Sequence, residues 1–136
     1  MAERVPDGTG DDLVKLGRDV LRGARVGEQV EVVLGRSTST TVKVFGGDVE
    51  SFTSATSDGA GIRVVRDGRQ GFAHCGSLEP DVLAETFHEA RDNCAFGEPD
   101  EFNGLAEPDG VASVPQDNWS DAVVAMTESA RIDTAL

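Results

Sequence analysis

Between Thr41 and Cys75 the chain reads TVKVFGGDVESFTSATSDGAGIRVVRDGRQGFAHC, and no other stretch limits its possible folds so sharply. Three clusters of turn-forming residues, Gly46-Gly47-Asp48, Ser57-Asp58-Gly59 and Asp67-Gly68, divide it into runs rich in Val, Ile, Thr and Phe. Gly-Gly and Asp-Gly between such runs signal hairpins, because their central residues tolerate positive φ. Alternation puts Ile62 and Val64 on one face and Arg63 on the other, with Val65 sharing the face of Arg63. An earlier run, Gln29 to Leu34, adds a strand with Val30, Val32 and Leu34 on one side. GRSTST after it is a polar break, or a bulge in one long hairpin arm. The pattern predicts an antiparallel meander sheet of about four to five strands.

Two helices flank this sheet. Leu13, Leu16, Val20, Leu21 and Ala24 fall at helical spacing after the acidic pair Asp11-Asp12, which suits a cap and first turn. Gly23 or Gly27 ends that helix. After Cys75, Pro80 opens a second helix in the first turn, where its missing N–H costs nothing. Val82, Leu83, Thr86, Phe87, Ala90 and Cys94 form its buried side, and Asp81, Glu85, His88, Glu89 and Asp92 its wet side. The fold class is therefore α+β, with helices packed on one face of the sheet.

Charge divides the chain unevenly. The net charge is −13, from 25 acids against 12 bases. Residues 1–96 hold 16 acids and 11 bases, and residues 97–136 hold 9 acids and the single base Arg131. Such a balance argues against binding a nucleic-acid backbone, which needs clustered Lys and Arg. No apolar run approaches the ~20 residues of a membrane helix. The N-terminus lacks the basic-then-apolar order of a signal peptide. Cys75 and Cys94 suit a reducing compartment and make no metal-binding spacing. The expected location is the cytoplasm, with neither membrane nor nucleic acid as partner.

The domain organisation follows. Residues 1–10 are expected to be disordered, 11–97 to form the sheet domain, and 98–136 to be an acidic connector plus a C-terminal helix. The connector holds Pro99, Pro108 and Pro115, with Phe102 and Leu105 as anchors, and should stay solvated. The helix should run from about Asn118 to Ala130 with Trp119, Val123, Met126 and Ala130 on one side. A helix of about 12 residues is marginal alone in water. It is expected to dock through Trp119, or else Trp119 serves an interface. The ending RIDTAL reads as a cut within a larger protein.

Few residues suggest chemistry. His88-Glu89 opens HEARDN, near the zinc-peptidase pattern HExxH, but Asp92 stands where the second His is required. His88 and Asp92 are thus candidate metal ligands, against the plainer reading of a solvated helix face. His74 and Cys75 are adjacent on a strand and point to opposite faces, so they make no nucleophile–base pair. Cys75 belongs with Gly71 and Ala73 on the core side, and His74 shares the other side with Phe72. Gly59-Ala60-Gly61 precedes a strand rather than a helix, so it is a turn and not a dinucleotide loop. Gly59, Gly61 and Gly68 are read as structural turn residues needing positive φ. The acids of 98–109 lack the regular spacing of a calcium loop. No catalytic residue stands out.

The run DGAGIRVVRDGRQGFAHCGSLEPDVLAETFHEARDNCAF resembles the N-terminal domain of the TldD/PmbA family, whose members are sometimes named modulators of DNA gyrase. Gly59, Gly61, Ile62, Arg63, Val64, Gly68, Gly71, Phe72, Ala73, Leu78 and Ala90 fit its pattern, as does Val49-Glu50. The segment Glu101 to Ala106, EFNGLA, is more similar to the PmbA (TldE) branch. The resemblance covers about residues 11–130. It implies one subunit of a cytosolic metallopeptidase assembly for proteolysis or peptide maturation. In that family a TldD-like partner carries zinc through an HExxxH motif in its C-terminal half, and the PmbA-like subunit pairs with it. This chain lacks that motif and that half, so no catalytic residue and no cofactor carries over. The implied role is to serve the subunit interface and the passage of unfolded peptide, with His74, Phe72 and Trp119 as candidate contact residues. The implied partner is the TldD-like zinc subunit or a second copy. Two other classes fit the composition: a stand-alone acidic interaction module, or a small metal-binding enzyme using His88, Asp92 and His74.

Overall fold

A computed structural model describes residues 10–112, 114 and 118–136. The N-terminal segment expected to be disordered lies outside them, except for Gly10. In chain order the elements are α1 (Gly10–Leu21), β1 (Gln29–Phe45), β2 (Asp48–Arg66), β3 (Arg69–Cys75), α2 (Pro80–Phe96), α3 (Asp121–Val124) and α4 (Glu128–Ala135). The strands form one sheet in the order β1-β2-β3, so the class is α+β.

The sheet has three long strands among the described residues, fewer than the sequence suggested. Two of the three expected turns form. Gly46 and Gly47 have φ of 61° and 88°, and Asp67 and Gly68 have 52° and 70°. Both pairs thus take the doubly positive φ that a tight hairpin needs. The third, Ser57-Asp58-Gly59, does not turn at all but continues β2. Its partners across the ladder explain why. The Asp58 carboxylate accepts two hydrogen bonds from Arg36, at 2.7 and 3.1 Å. Thr38 and Thr56 hydroxyls pair at 3.0 Å, and Thr40 with Ser54 at 3.3 Å. GRSTST is likewise no break: β1 runs through it without interruption. Turn-type residues here are cross-strand polar pairs, which stabilise a ladder as apolar pairs do.

The core lies where β2, β3 and α2 meet. Ile62, Val64, Ala73, Phe87, Ala90 and Cys94 are buried together, with Val20, Val30 and Val32 packed against them. Ile62 faces Ala73 and Val64 faces Gly71 in the β2–β3 register. Helix α2 lies so close to β3 that a Cβ on Gly71 would sit 2.0 Å from the Cys94 nitrogen and 2.2 Å from the Ala90 oxygen. Only glycine permits that approach. The helix begins as expected, with Pro80 in its first turn and Glu79 as cap, and buries Leu83, Thr86, Phe87, Ala90 and Cys94. Thr86 satisfies its hydroxyl internally, donating to the Val82 carbonyl at 2.8 Å.

The chain divides into two compact units. The first comprises the described residues up to Arg36 together with Ser57–Val111, and the second Ser37–Thr56 with Ala112–Leu136. β1 and β2 run through both. The start of the acidic connector belongs to the first unit. The Gly68 carbonyl accepts hydrogen bonds from the Asp100 backbone and the Asn103 amide, both at 2.8 Å. Leu105, half-buried, donates its N–H to Gln29. Phe102 is not an anchor: it is 86% exposed.

In the second unit the expected single helix is two. Ser120 caps α3 and Thr127 caps α4, each accepting a backbone N–H on its side chain. Arg131 holds the break, donating to the Met126 and Val123 carbonyls. Met126, Arg131, Thr134 and Ala135 share one concavity with Thr40 and Val42. Trp119 is 51% exposed and donates its indole N–H to Asp121 at 2.8 Å.

Candidate interaction site

A sheet in this architecture covers one face with helices and leaves the other open. In the first unit α2 packs on the face of Ile62, Val64, Gly71 and Ala73. The opposite face carries Gly61, Arg63, Val65, Phe72 and His74. Phe72 is 56% exposed, and its ring stacks on His74 with centroids 6.0 Å apart and an interplanar angle of 18°. Arg63 lies opposite Phe72 in the register and donates to Glu31 on β1 at 3.0 Å. Val33, on the same side of β1 as Glu31, is 62% exposed. Val65 on this face is buried. The result is an aromatic–aliphatic surface with one balanced ion pair, able to bind by apolar contact without a net charge to satisfy.

Gly59 and Gly61 play a different part from the one expected. Both lie inside β2, and neither has positive φ. A Cβ on Gly61 would come within 3.2 Å of the Phe72 ring. Gly61 thus clears the space in which the aromatic ring of the neighbouring strand lies, an arrangement known for glycines in sheets. Gly68 is the one true turn glycine of the three, and its positive φ and the nearby Asp100 carbonyl both require it.

On the helical side, Glu28 and Arg91 form an ion pair at 2.7 Å whose carboxylate is fully covered. Arg91 makes two hydrogen bonds to Glu28, a third to the Gly23 carbonyl at 3.0 Å, and lies 4.5 Å over the Phe87 ring. Hydrogen bonding from Arg91 holds the Glu28 carboxyl down at about 2. The pair ties the loop after α1 to the middle of α2. Sequence reading gave no sign of it, since its members are 63 residues apart and neither belongs to a motif.

Of the three candidate metal ligands, His88 and Asp92 share helix α2 and His74 lies on β3. His88 and Asp92 are both exposed on α2. Among the described residues no group of three or more His, Cys, Asp or Glu could hold a metal ion. His74 lies on the open sheet face, whereas His88 lines a cleft between α1 and α2. His74 and Cys75 alternate in exposure as strand neighbours do: His74 is exposed, and the Cys75 thiol donates to Ser77. Both cysteines are free. No helix among the described residues is long and apolar enough to cross a membrane.

Residues 30–94 match the sequence profile of the family described as PmbA/TldA metallopeptidase domain 1. An uncharacterised protein of Methanocaldococcus jannaschii is 33% identical over 72 residues, covering 53% of this chain and 17% of that protein. Among solved structures, TldE from Thermococcus kodakarensis superposes with a TM-score of 0.58 at 24% identity, over 79% of this chain and 23% of that one. A protein of Thermotoga maritima described as a candidate modulator of a DNA gyrase gives 0.63 at 19% identity, over 92% and 27%. The chain spans about a quarter or less of the length of each. The matched segment runs from β1 through the buried face of α2, the part that builds the core. Over residues 30–94 the likeness is to the first domain of that family.

Proposed function

We propose that this chain acts as the N-terminal domain of a PmbA (TldE)-like subunit in a cytoplasmic metallopeptidase assembly, giving it a subunit contact and a wall of the peptide passage rather than catalysis. The observation that carries this reading is the open sheet face, where Phe72 stands exposed against His74 beside Val33. Large apolar side chains grouped on an otherwise charged surface are typical of contact surfaces. The likeness to TldE supports the choice of partner, a TldD-like subunit that supplies the zinc. Unfolded peptide is the substrate of the assembly in this reading.

Mixing the chain with a TldD-like zinc subunit from the same genome tests it. Co-elution on size exclusion should occur and should be lost in Phe72→Glu, while the melting temperature of the variant stays within about 3 °C because the ring is exposed. The chain alone, with zinc and unfolded peptides, should cleave nothing. Co-elution unaffected by Phe72→Glu would remove the open face from the contact. Cleavage by the chain alone that vanishes in His88→Ala would instead establish a small metal-dependent enzyme.

A further inference from the structure

Between α1 and α2 lies a cleft of about 380 Å³. That volume falls within the range of small-molecule sites. Its walls are mostly apolar: Leu16 and Val20 come from α1, Ala84 and Phe87 from α2. Two cationic side chains line it, Arg25 and Arg91, and they differ in one respect. Arg91 is engaged by Glu28, the Gly23 carbonyl and the Phe87 ring. The Arg25 guanidinium makes no hydrogen bond or ion pair among the described residues. Only its backbone N–H is engaged, by Glu28 at 2.9 Å. Of the carboxylates close by, Asp19 is paired with Arg22 at 2.8 Å and Glu28 with Arg91, while Glu28 also feels the charge of Arg25 and Asp92 acts on Arg91. The Arg25 guanidinium is therefore a cationic group at this apolar cleft without a direct partner among the described residues, on a chain whose net charge is −13.

A guanidinium with no direct hydrogen-bond partner beside an apolar wall selects an amphipathic anion. A carboxylate fits the planar fork of Arg with two parallel hydrogen bonds. An attached aliphatic or aryl group can remove the half-buried Leu16 and Val20 from water. His88, also lining the cleft, offers a further N–H. We propose that the α1–α2 cleft binds small carboxylates with an apolar tail, the carboxylate on Arg25 and the tail against Leu16, Val20 and Phe87. A free organic acid and the C-terminal residue of a peptide share this chemistry.

The test is a titration of the ¹⁵N-labelled chain followed by amide NMR. The probes are 4-phenylbutyrate, 4-phenylbutanol, and a short peptide ending in Leu with either a free or an amidated C-terminus. Phenylbutyrate should shift Arg25, Ala84 and His88, and the alcohol should bind at least about tenfold more weakly, the loss expected for one charge-assisted contact. Arg25→Gln should weaken phenylbutyrate by a similar factor. Ala84→Trp, at an exposed position, should fill the cleft and abolish the shifts while the rest of the spectrum stays folded. Tighter binding of the free-acid peptide than of phenylbutyrate assigns the cleft to peptide C-termini, and the reverse order assigns it to free acids. Equal binding of acid and alcohol would overturn the proposal. So would an unaffected Arg25→Gln variant, shifts confined to another surface, or no shifts up to about 10 mM ligand.

Discussion

The same two strands have different neighbours in the two units of the chain, and the contrast separates what holds this fold from what extends it. In the first unit the helix-facing positions of β2 are Ala60, Ile62 and Val64, all buried. In the second, Thr38, Thr40, Ser54 and Thr56 form hydroxyl pairs instead, and no residue of α3 or α4 is buried. Among the described residues, every buried core residue belongs to the first unit. Burial of apolar area supplies most of the driving force for folding, whereas an exposed hydroxyl pair contributes a few tenths of a kcal/mol to about 1. The first unit should therefore set the global stability, and the second should open locally.

The sharpest way to break that contrast is at Gly71. An added methyl there would meet the backbone of α2 at 2.0 Å, and backbone cannot rotate aside. Gly71→Ala should cost about 3 kcal/mol or more, read as a fall in denaturant midpoint. A near-neutral result would mean α2 does not pack on β3 at this distance.

Glu28 comes next. Glu28→Gln removes the charge of a covered ion pair and should cost about 2 kcal/mol at neutral pH. Its carboxyl, held at about 2 by Arg91 against an ordinary 4.5, contributes stability that is full above 4.5 and lost as pH falls toward 2. Asp58, lowered by its hydrogen bonds from Arg36, acts in the same direction. Acid titration of the melting temperature should thus be shallower in Glu28→Gln than in the parent, though not flat. Equal slopes would show that the pair is not formed.

Gly61→Val should have a smaller effect, about 1 kcal/mol, because the new side chain displaces the Phe72 ring toward solvent rather than forcing the backbone. The readout that separates this from a turn glycine is local: His74 ring resonances should move as the stacking is lost. Smallest is Trp119, where no change in stability is expected. As the single Trp, half exposed and bonded to Asp121, it should emit with a red-shifted, readily quenched spectrum in the monomer. A blue-shifted, protected spectrum would restore a docked Trp119.

These positions also mark where the sequence could be read and where it could not. Helix α2 was legible because Pro80, the 3.6-residue period of its apolar side and its acidic outer side all agree. The Gly46-Gly47 and Asp67-Gly68 turns were legible for a similar reason, since nothing else in the sequence competes with them. Ser57-Asp58-Gly59 misled because its residue types serve turns and polar cross-strand pairs equally well. Only the presence of Arg36 and Thr38 on the facing strand decides between them, and that is a long-range fact. The split between α3 and α4 was available in Ser120 and Thr127, both good capping residues, but the apolar stripe through Met126 outweighed them. Phe72 and His74 followed from strand alternation, and the structure places them together. Glu28, Arg91 and Arg25 followed from nothing local, because their pairing, or lack of it, exists only once α1 and α2 meet.

Amide hydrogen exchange on the intact chain tests the division of stability most directly. The amides of Ile62, Val64 and Ala73, and those of the buried turns of α2 from Leu83 to Cys94, should be the slowest and should share one opening free energy equal to that of global unfolding. Amides of β1 and β2 between Ser37 and Thr56, and those of α4, should exchange at least about a hundredfold faster, through local opening. Equal protection across both units would contradict the account, because it would make the hydroxyl-paired hairpin and the C-terminal helices part of the same cooperative core.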